Sequence, residues 1–200
     1  MQELNIVTNE VNNYISNMSS KNSLLLESLM EYYSNNVQIL TNIITQKNVL
    51  SLRILDWLVT NYSKKYNIVY PINKNNKNIN FNIYLDYKNQ LKAYSKKYFD
   101  PFCRRDRIII NINSLTWKPY LEKQENISDN ELITTVGQLN FFRWFIENNV
   151  INYAIDNIEK IDKDMIDTLN QNKNSIKRKE LSKNASKTVF TYKSQIIVNF

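Results

Sequence analysis

Apolar residues in the first third of the chain recur every three or four positions, the spacing that places them on one side of an α-helix. Leu4, Val7, Val11, Tyr14, Ile15 and Met18 make one such stripe and predict a helix over 3–18. Ser19 to Ser23, rich in helix-capping residues, interrupts it. A second helix is predicted over 23–46, with Leu25, Leu29, Tyr32, Tyr33, Leu40, Ile43 and Ile44 on its apolar side. A third, over 48–64, carries Leu52, Leu55, Trp57, Leu58, Val59 and Tyr62. Lys64 and Lys65 at its end suit the negative pole of the helix dipole. Stripes of this kind usually face a core, although the first two helices can also pair as a hairpin or seek a partner chain.

The period then shortens. Asn67 to Tyr70 reads as a short strand stopped by Pro71, and 73–80 (NKNNKNIN) as a polar loop. Residues 81–86 (FNIYLD) alternate and predict a strand, followed by a helix over 87–98. Pro101 disfavours helical geometry at Asp100, so the helix must end before it. Ile108 to Ile112 is a β-branched strand, and 113–130 a connection. Ser128 and Glu131 have the spacing of a capping box and predict a helix start, with Gly137 as a bend. Leu139 to Ile151 is apolar nearly all round, which implies central burial, with a break near Asn148-Asn149. Ile155, Ile158, Ile161, Met165 and Leu169 continue a stripe.

These elements predict an α+β fold: a small, mainly antiparallel sheet packed by helices, with an N-terminal helix pair. Its strands are expected near 67–70, 81–86, 107–112 and 188–199. The expected division is a helical pair at 1–47 that can serve homo-oligomerisation and an α+β core at 48–171. A basic segment at 172–187 and a terminal strand or hairpin at 188–200 follow.

Composition narrows the chemistry. The 200 residues include no histidine, one cysteine and one glycine. Histidine-based catalytic triads, thiolate zinc clusters, P-loops and glycine-rich dinucleotide turns are therefore excluded within this chain. No catalytic residue, metal ligand or cofactor is expected. The chain has neither a continuous apolar leader at its start nor an apolar run long enough to span a bilayer. The expectation is an intracellular protein, in host cytoplasm or virion, that is not secreted and does not insert into membranes. The lone Cys103 fits a reducing compartment.

The net charge of +7 is unevenly spread. Residues 60–107 hold 11 Lys/Arg against 3 Asp/Glu, and 172–200 hold 7 against 1. Between them, 108–171 hold 5 against 10. Such asymmetry suits an anionic partner, though blocks of opposite sign can also pair with each other, and AT-rich codons alone favour Asn, Lys, Ile and Tyr. Within the first basic block, Lys88, Lys92, Lys96 and Lys97 precede Phe99-Asp-Pro-Phe-Cys-Arg-Arg-Asp-Arg-Ile108, which supplies Arg104, Arg105 and Arg107. Guanidinium forks and ammonium groups suit phosphates, and Tyr87, Tyr94 and Tyr98 can stack on bases. The plainer alternative buries Phe99 and Phe102 as loop anchors and pairs the arginines with Asp100 and Asp106. Lys177, Arg178 and Lys179 make a second candidate contact, as a basic arm.

Two weaker patterns bear on catalysis. Asp86 and Lys88, two residues apart at a predicted strand end, are half of a metal-dependent nuclease pattern, with Asp56 the sole acid between Glu31 and Asp86. Cys103 has arginine neighbours that can lower a thiol pKa.

The segments FDPFCRRDRI at 99–108 and TTVGQLNFFRWFI at 134–146, with the overall composition, resemble an uncharacterised family of nucleocytoplasmic large DNA viruses. The resemblance covers roughly 50–155. It implies a viral role in genome handling, transcription or virion structure and supplies no site residue. The leading functional expectation is a non-enzymatic protein that binds nucleic acid, DNA or RNA, through its Lys/Arg/Tyr-rich region. A viral structural or protein-interaction component is the alternative, and a metal-dependent nuclease the third.

Overall fold

The computed structural model describes residues 20–45, 50–74, 76–120 and 127–175, together with 12, 13 and 16. The chain divides into two units, Met1–Met165 and Ile166–Phe200. The class is α+β, with helices around two small antiparallel sheets.

The N-terminal pair is α1 (Ser20–Ser34) and α2 (Val37–Ile44). The predicted helix over 23–46 is therefore two helices. At the break, the Asn36 amide donates to the Tyr32 carbonyl at 2.9 Å and the Ser34 hydroxyl to that of Glu31 at 2.6 Å. Short polar side chains of this kind compete with the backbone ladder and end the turn. Of the predicted helix over 3–18, Asn12, Asn13 and Ser16 are helical, and the rest lies outside the described residues.

The third helical segment runs through α3 (Leu52–Trp57), a π-helical turn (Leu58–Tyr62) and α4 (Ser63–Tyr66). Ser51 caps it by accepting from the Ile54 N–H at 3.3 Å. Asn67, at φ 46, closes it in the left-handed region. Leu58 and Val59 in the π turn are fully buried.

An antiparallel ribbon follows, β1 (Val69–Lys74) on β2 (Lys77–Asn82). It corrects two expectations. Pro71 does not stop the strand, because each strand of a two-stranded ribbon has an open edge where a missing N–H costs no bond. The polar stretch 73–80 is mostly strand, with only two residues connecting Lys74 to Lys77. The predicted strand 81–86 is also split. Asn82 ends β2 and accepts from the Leu85 N–H at 2.9 Å, so α5 (Ile83–Tyr94) starts four residues earlier than expected.

The second sheet has the order β4-β3-β5, with β3 (Arg107–Asn111), β4 (Trp117–Pro119) and β5 (Glu131–Thr135) all antiparallel. The single predicted sheet is thus two among the described residues, and β4 lies in a predicted connection. The Ser128–Glu131 box leads into a strand, not a helix. The Ser128 N–H does donate to the Glu131 carboxylate at 3.3 Å, but β-branched Ile133, Thr134 and Thr135 then pair with β3. The helix α6 (Val136–Glu147) begins only after Thr135, whose hydroxyl accepts from the Gln138 N–H at 3.1 Å. The predicted terminal strand lies outside the described residues.

As the all-round apolar pattern requires, α6 is the centre of the core. Leu139, Phe141, Phe142 and Phe145 are fully buried. Phe99 meets Phe141 at 5.3 Å and Trp144 edge-on at 5.6 Å between ring centroids. The Tyr33 hydroxyl of α1 donates to the Leu139 carbonyl at 2.7 Å. Gly137 stands where two backbones meet, since a Cβ there would lie 2.8 Å from the Lys97 carbonyl oxygen. In the same contact, the Asp100 N–H donates to the Gly137 carbonyl at 3.2 Å.

The expected break falls at Asn148 and Asn149 (φ 55), before α7 (Val150–Asp156). The last helix among the described residues, α8 (Ile158–Ser175), enters the segment predicted to be basic and polar. In its first unit-one turns, Asp164 is 8% exposed and gathers three donors. They are Trp57 Nε1 at 3.0 Å, the Tyr66 hydroxyl at 2.9 Å and Lys65 Nζ at 2.5 Å.

Candidate nucleic-acid interface

The candidate cations start on α5. Ile83 and Tyr87 turn its apolar side inward, so Lys88 and Lys92, one turn apart, are exposed. The helix stops at Tyr94, four residues short of expectation, because Ser95 adopts φ 58. Lys96 and Lys97 therefore sit on a turn, and both are exposed.

The loop from Phe99 to Asp106 combines both readings of its sequence. Phe99 is 1% exposed and anchors the loop. Asp100, nearly as buried, takes Arg104 in a forked pair at 2.8–3.1 Å and accepts from the Phe102 N–H at 3.1 Å. The Arg104 guanidinium also lies 4.7 Å from the Phe102 ring centre, in cation–π geometry. Lys97 pairs with Asp106 at 3.5 Å and lies over Tyr98. Arg107 lies over Tyr120, and its positive charge acts on the Cys103 thiol. Burial raises the Cys103 pKa and outweighs that arginine, so the thiol is not activated.

Lys88, Lys92 and Arg105 have no acidic partner among the described residues. Lys96 has Asp56 nearby. Burial first, and then Asp100, raises the Asp56 pKa, while Arg104 and Lys96 lower it. Lys177, Arg178 and Lys179 lie outside the described residues. One cation was overlooked in the sequence: Lys64 lies over the Tyr84 ring, 5.8 Å from its centre. Its doublet with Lys65 was visible, but the crossing of α4 and α5 that joins it to Tyr84 is a tertiary fact.

The nuclease pattern loses its setting. Asp86 and Lys88 lie in the first turns of α5, not at a strand end. The Asp86 carboxylate accepts from Trp144 Nε1 at 2.7 Å and Gln90 Nε2 at 3.3 Å, which ties it to the core. No group of three potential metal-ligating residues forms among the described residues.

A cleft of 460 Å³ lies beside Lys21, Ser28, Asp86, Arg143 and Glu147. Lys74 lines it as well, and its other charges are already engaged. Arg143 bonds Glu147 and Ser28, each at 2.8 Å, and Lys21 donates to the Ala93 carbonyl at 3.3 Å.

The architecture and its surface define an α+β protein with an exposed basic region running from α5 into the arginine loop. No helix among the described residues is long and apolar enough to cross a membrane. The chain belongs to a family of unknown function, DUF7197, which it matches over residues 6–195. It is 36% identical over 184 residues to Uncharacterized protein L507 of Acanthamoeba polyphaga mimivirus, across 82% of this chain and 68% of that protein. No solved structure matches. The family match and the mimivirus relative bear out the resemblance to an uncharacterised family of nucleocytoplasmic large DNA viruses.

Proposed function

We propose that this is a viral nucleic-acid-binding protein without catalytic activity, which contacts phosphates through the α5–β3 region. The carrying observation is the imbalance of partners in that region. Lys88, Lys92 and Arg105 are exposed with no acid beside them among the described residues, while Asp86 and Asp100 are held by Trp144 and Arg104. Lys96, Lys97, Arg104 and Arg107 complete the positive surface, and the segment with Lys177, Arg178 and Lys179 adds further positive charge to the chain. Arg104 is partly committed to Asp100, so the unpaired cations are the sharper probes.

The test is binding to labelled duplex and single-stranded oligonucleotides across a salt series. Lys88→Ala/Lys92→Ala/Arg105→Ala should weaken binding and lower the salt slope by about three on duplex DNA, roughly one per lost phosphate contact. Unchanged affinity and slope would overturn the assignment to these residues. Absence of wild-type binding even at low salt would favour a structural or protein-interaction role in the virus.

A further inference from the structure

The β1–β2 ribbon is a second element suited to nucleic acid, and its two faces differ. Tyr70, Ile72, Phe81 and Ile79 share one face, which ends in Lys74 opposite Lys77. At the base of that face, Ile72 and Phe81 are buried. Tyr70 stacks on Tyr153 at 5.5 Å and donates its hydroxyl to the Asn148 carbonyl at 2.8 Å. The base is therefore held to the core.

The opposite face carries Val69, Pro71 and Asn73 from β1 and Asn78, Asn80 and Asn82 from β2. Asn82 is used as the cap of α5. Asn73 pairs across the ribbon with Asn78, and these two and Asn80 are exposed. Their amides bond no other side chain or backbone group among the described residues. No acidic residue occurs anywhere from 57 to 85. Two lysines directly opposite each other repel and weaken the ribbon they terminate, and an anion between or beside them relieves that cost.

We infer that this ribbon enters the major groove of duplex DNA, with Asn73, Asn78 and Asn80 facing base edges and Lys74 and Lys77 facing phosphates. The dimensions agree. At about 3.3 Å per residue, the asparagine face from the Pro71–Asn80 pair to the Lys74–Lys77 pair runs roughly 10 Å, so laid along the groove floor it covers about three base steps with the two lysines at its end. Two strands about 4.8 Å apart, with their side chains, suit a groove about 12 Å wide. An asparagine amide offers the donor and acceptor that match adenine N6 and N7. The deep, narrow major groove of A-form RNA would not admit the ribbon. The inference rests on the nucleic-acid reading above and names its partner and reading element.

The experiment measures fluorescence anisotropy with labelled AT-rich and GC-rich DNA duplexes, and an RNA duplex of equal length. It compares the full chain with two variants, each checked by thermal melting. Lys74→Gln/Lys77→Gln should lower the salt slope on DNA by about two. Asn73→Ala/Asn78→Ala/Asn80→Ala should leave the slope unchanged and weaken the AT-rich duplex about tenfold, narrowing its advantage over the GC-rich one. The wild type should prefer DNA to RNA duplex. If the wild type binds DNA but both variants match it, or if it binds the two duplexes equally, the ribbon assignment is overturned and the phosphate-binding surface stands. If the wild type binds none of the probes, the underlying reading falls and takes the ribbon with it.

Discussion

Single side chains carry much of the long-range order. Asp164 binds Trp57, Lys65 and Tyr66, about a hundred positions away in sequence, through one buried carboxylate. Asp164→Asn keeps the shape but loses the charge that strengthens these bonds, and should cost about 2 kcal/mol in urea unfolding. Gly137 was legible as an irregularity but not as what it is. Its sequence neighbours suggest a helix bend, whereas its reason is the Lys97 carbonyl, forty residues away. Gly137→Ala should destabilise by about 1–3 kcal/mol through that clash. The lysines and arginines of the candidate surface were legible one by one. Their pairings were not, because whether Asp100 holds Arg104, or Asp106 holds Lys97, depends on loop geometry that no periodicity encodes.

At the scale of elements, helices with long apolar stripes were readable, and the junctions between strand and helix were not. Asn82 and Thr135 each end a strand and cap the next helix in a single residue. A run that crosses such a junction, as 81–86 and 128–139 do, shows neither period cleanly. The ribbon was hidden for another reason: asparagine-rich strands have low β-propensity, and cross-strand pairing supplies what composition does not. Thr135→Val keeps the shape of the cap but removes its acceptor. It should lower stability by about 1 kcal/mol, seen as an earlier midpoint in thermal or urea unfolding with the same cooperativity.

At the scale of the whole molecule, acid should remove the stability that Asp164 and Glu131 supply, with Asp56, whose pKa is raised, partly opposing them. Burial alone would raise the Asp164 pKa, but hydrogen bonds from Lys65, Trp57 and Tyr66 bring it below the ordinary value of 3.8. The Glu131 pKa is lowered mainly by its bond from Lys118. A carboxylate with a lowered folded pKa stabilises fully above its unfolded value, and that contribution disappears as pH falls through the folded one. Unfolding free energy should therefore be level above about pH 5 and fall below about pH 4. Asp164→Asn should show a shallower fall. A wild-type curve without an acid limb would contradict this account.

The contact between Gly137 and the chain at 97–100 also bears on motion. With the Asp100 amide bonded to the Gly137 carbonyl and Phe99 packed on Phe141, the basic loop is anchored to the central helix. Its ordering belongs to folding, so a ligand that meets Arg104 and Arg105 has little conformational entropy to remove at their base. The backbone amide of Asp100 should exchange with deuterium on the slow timescale of α6 itself, opening only when the core does.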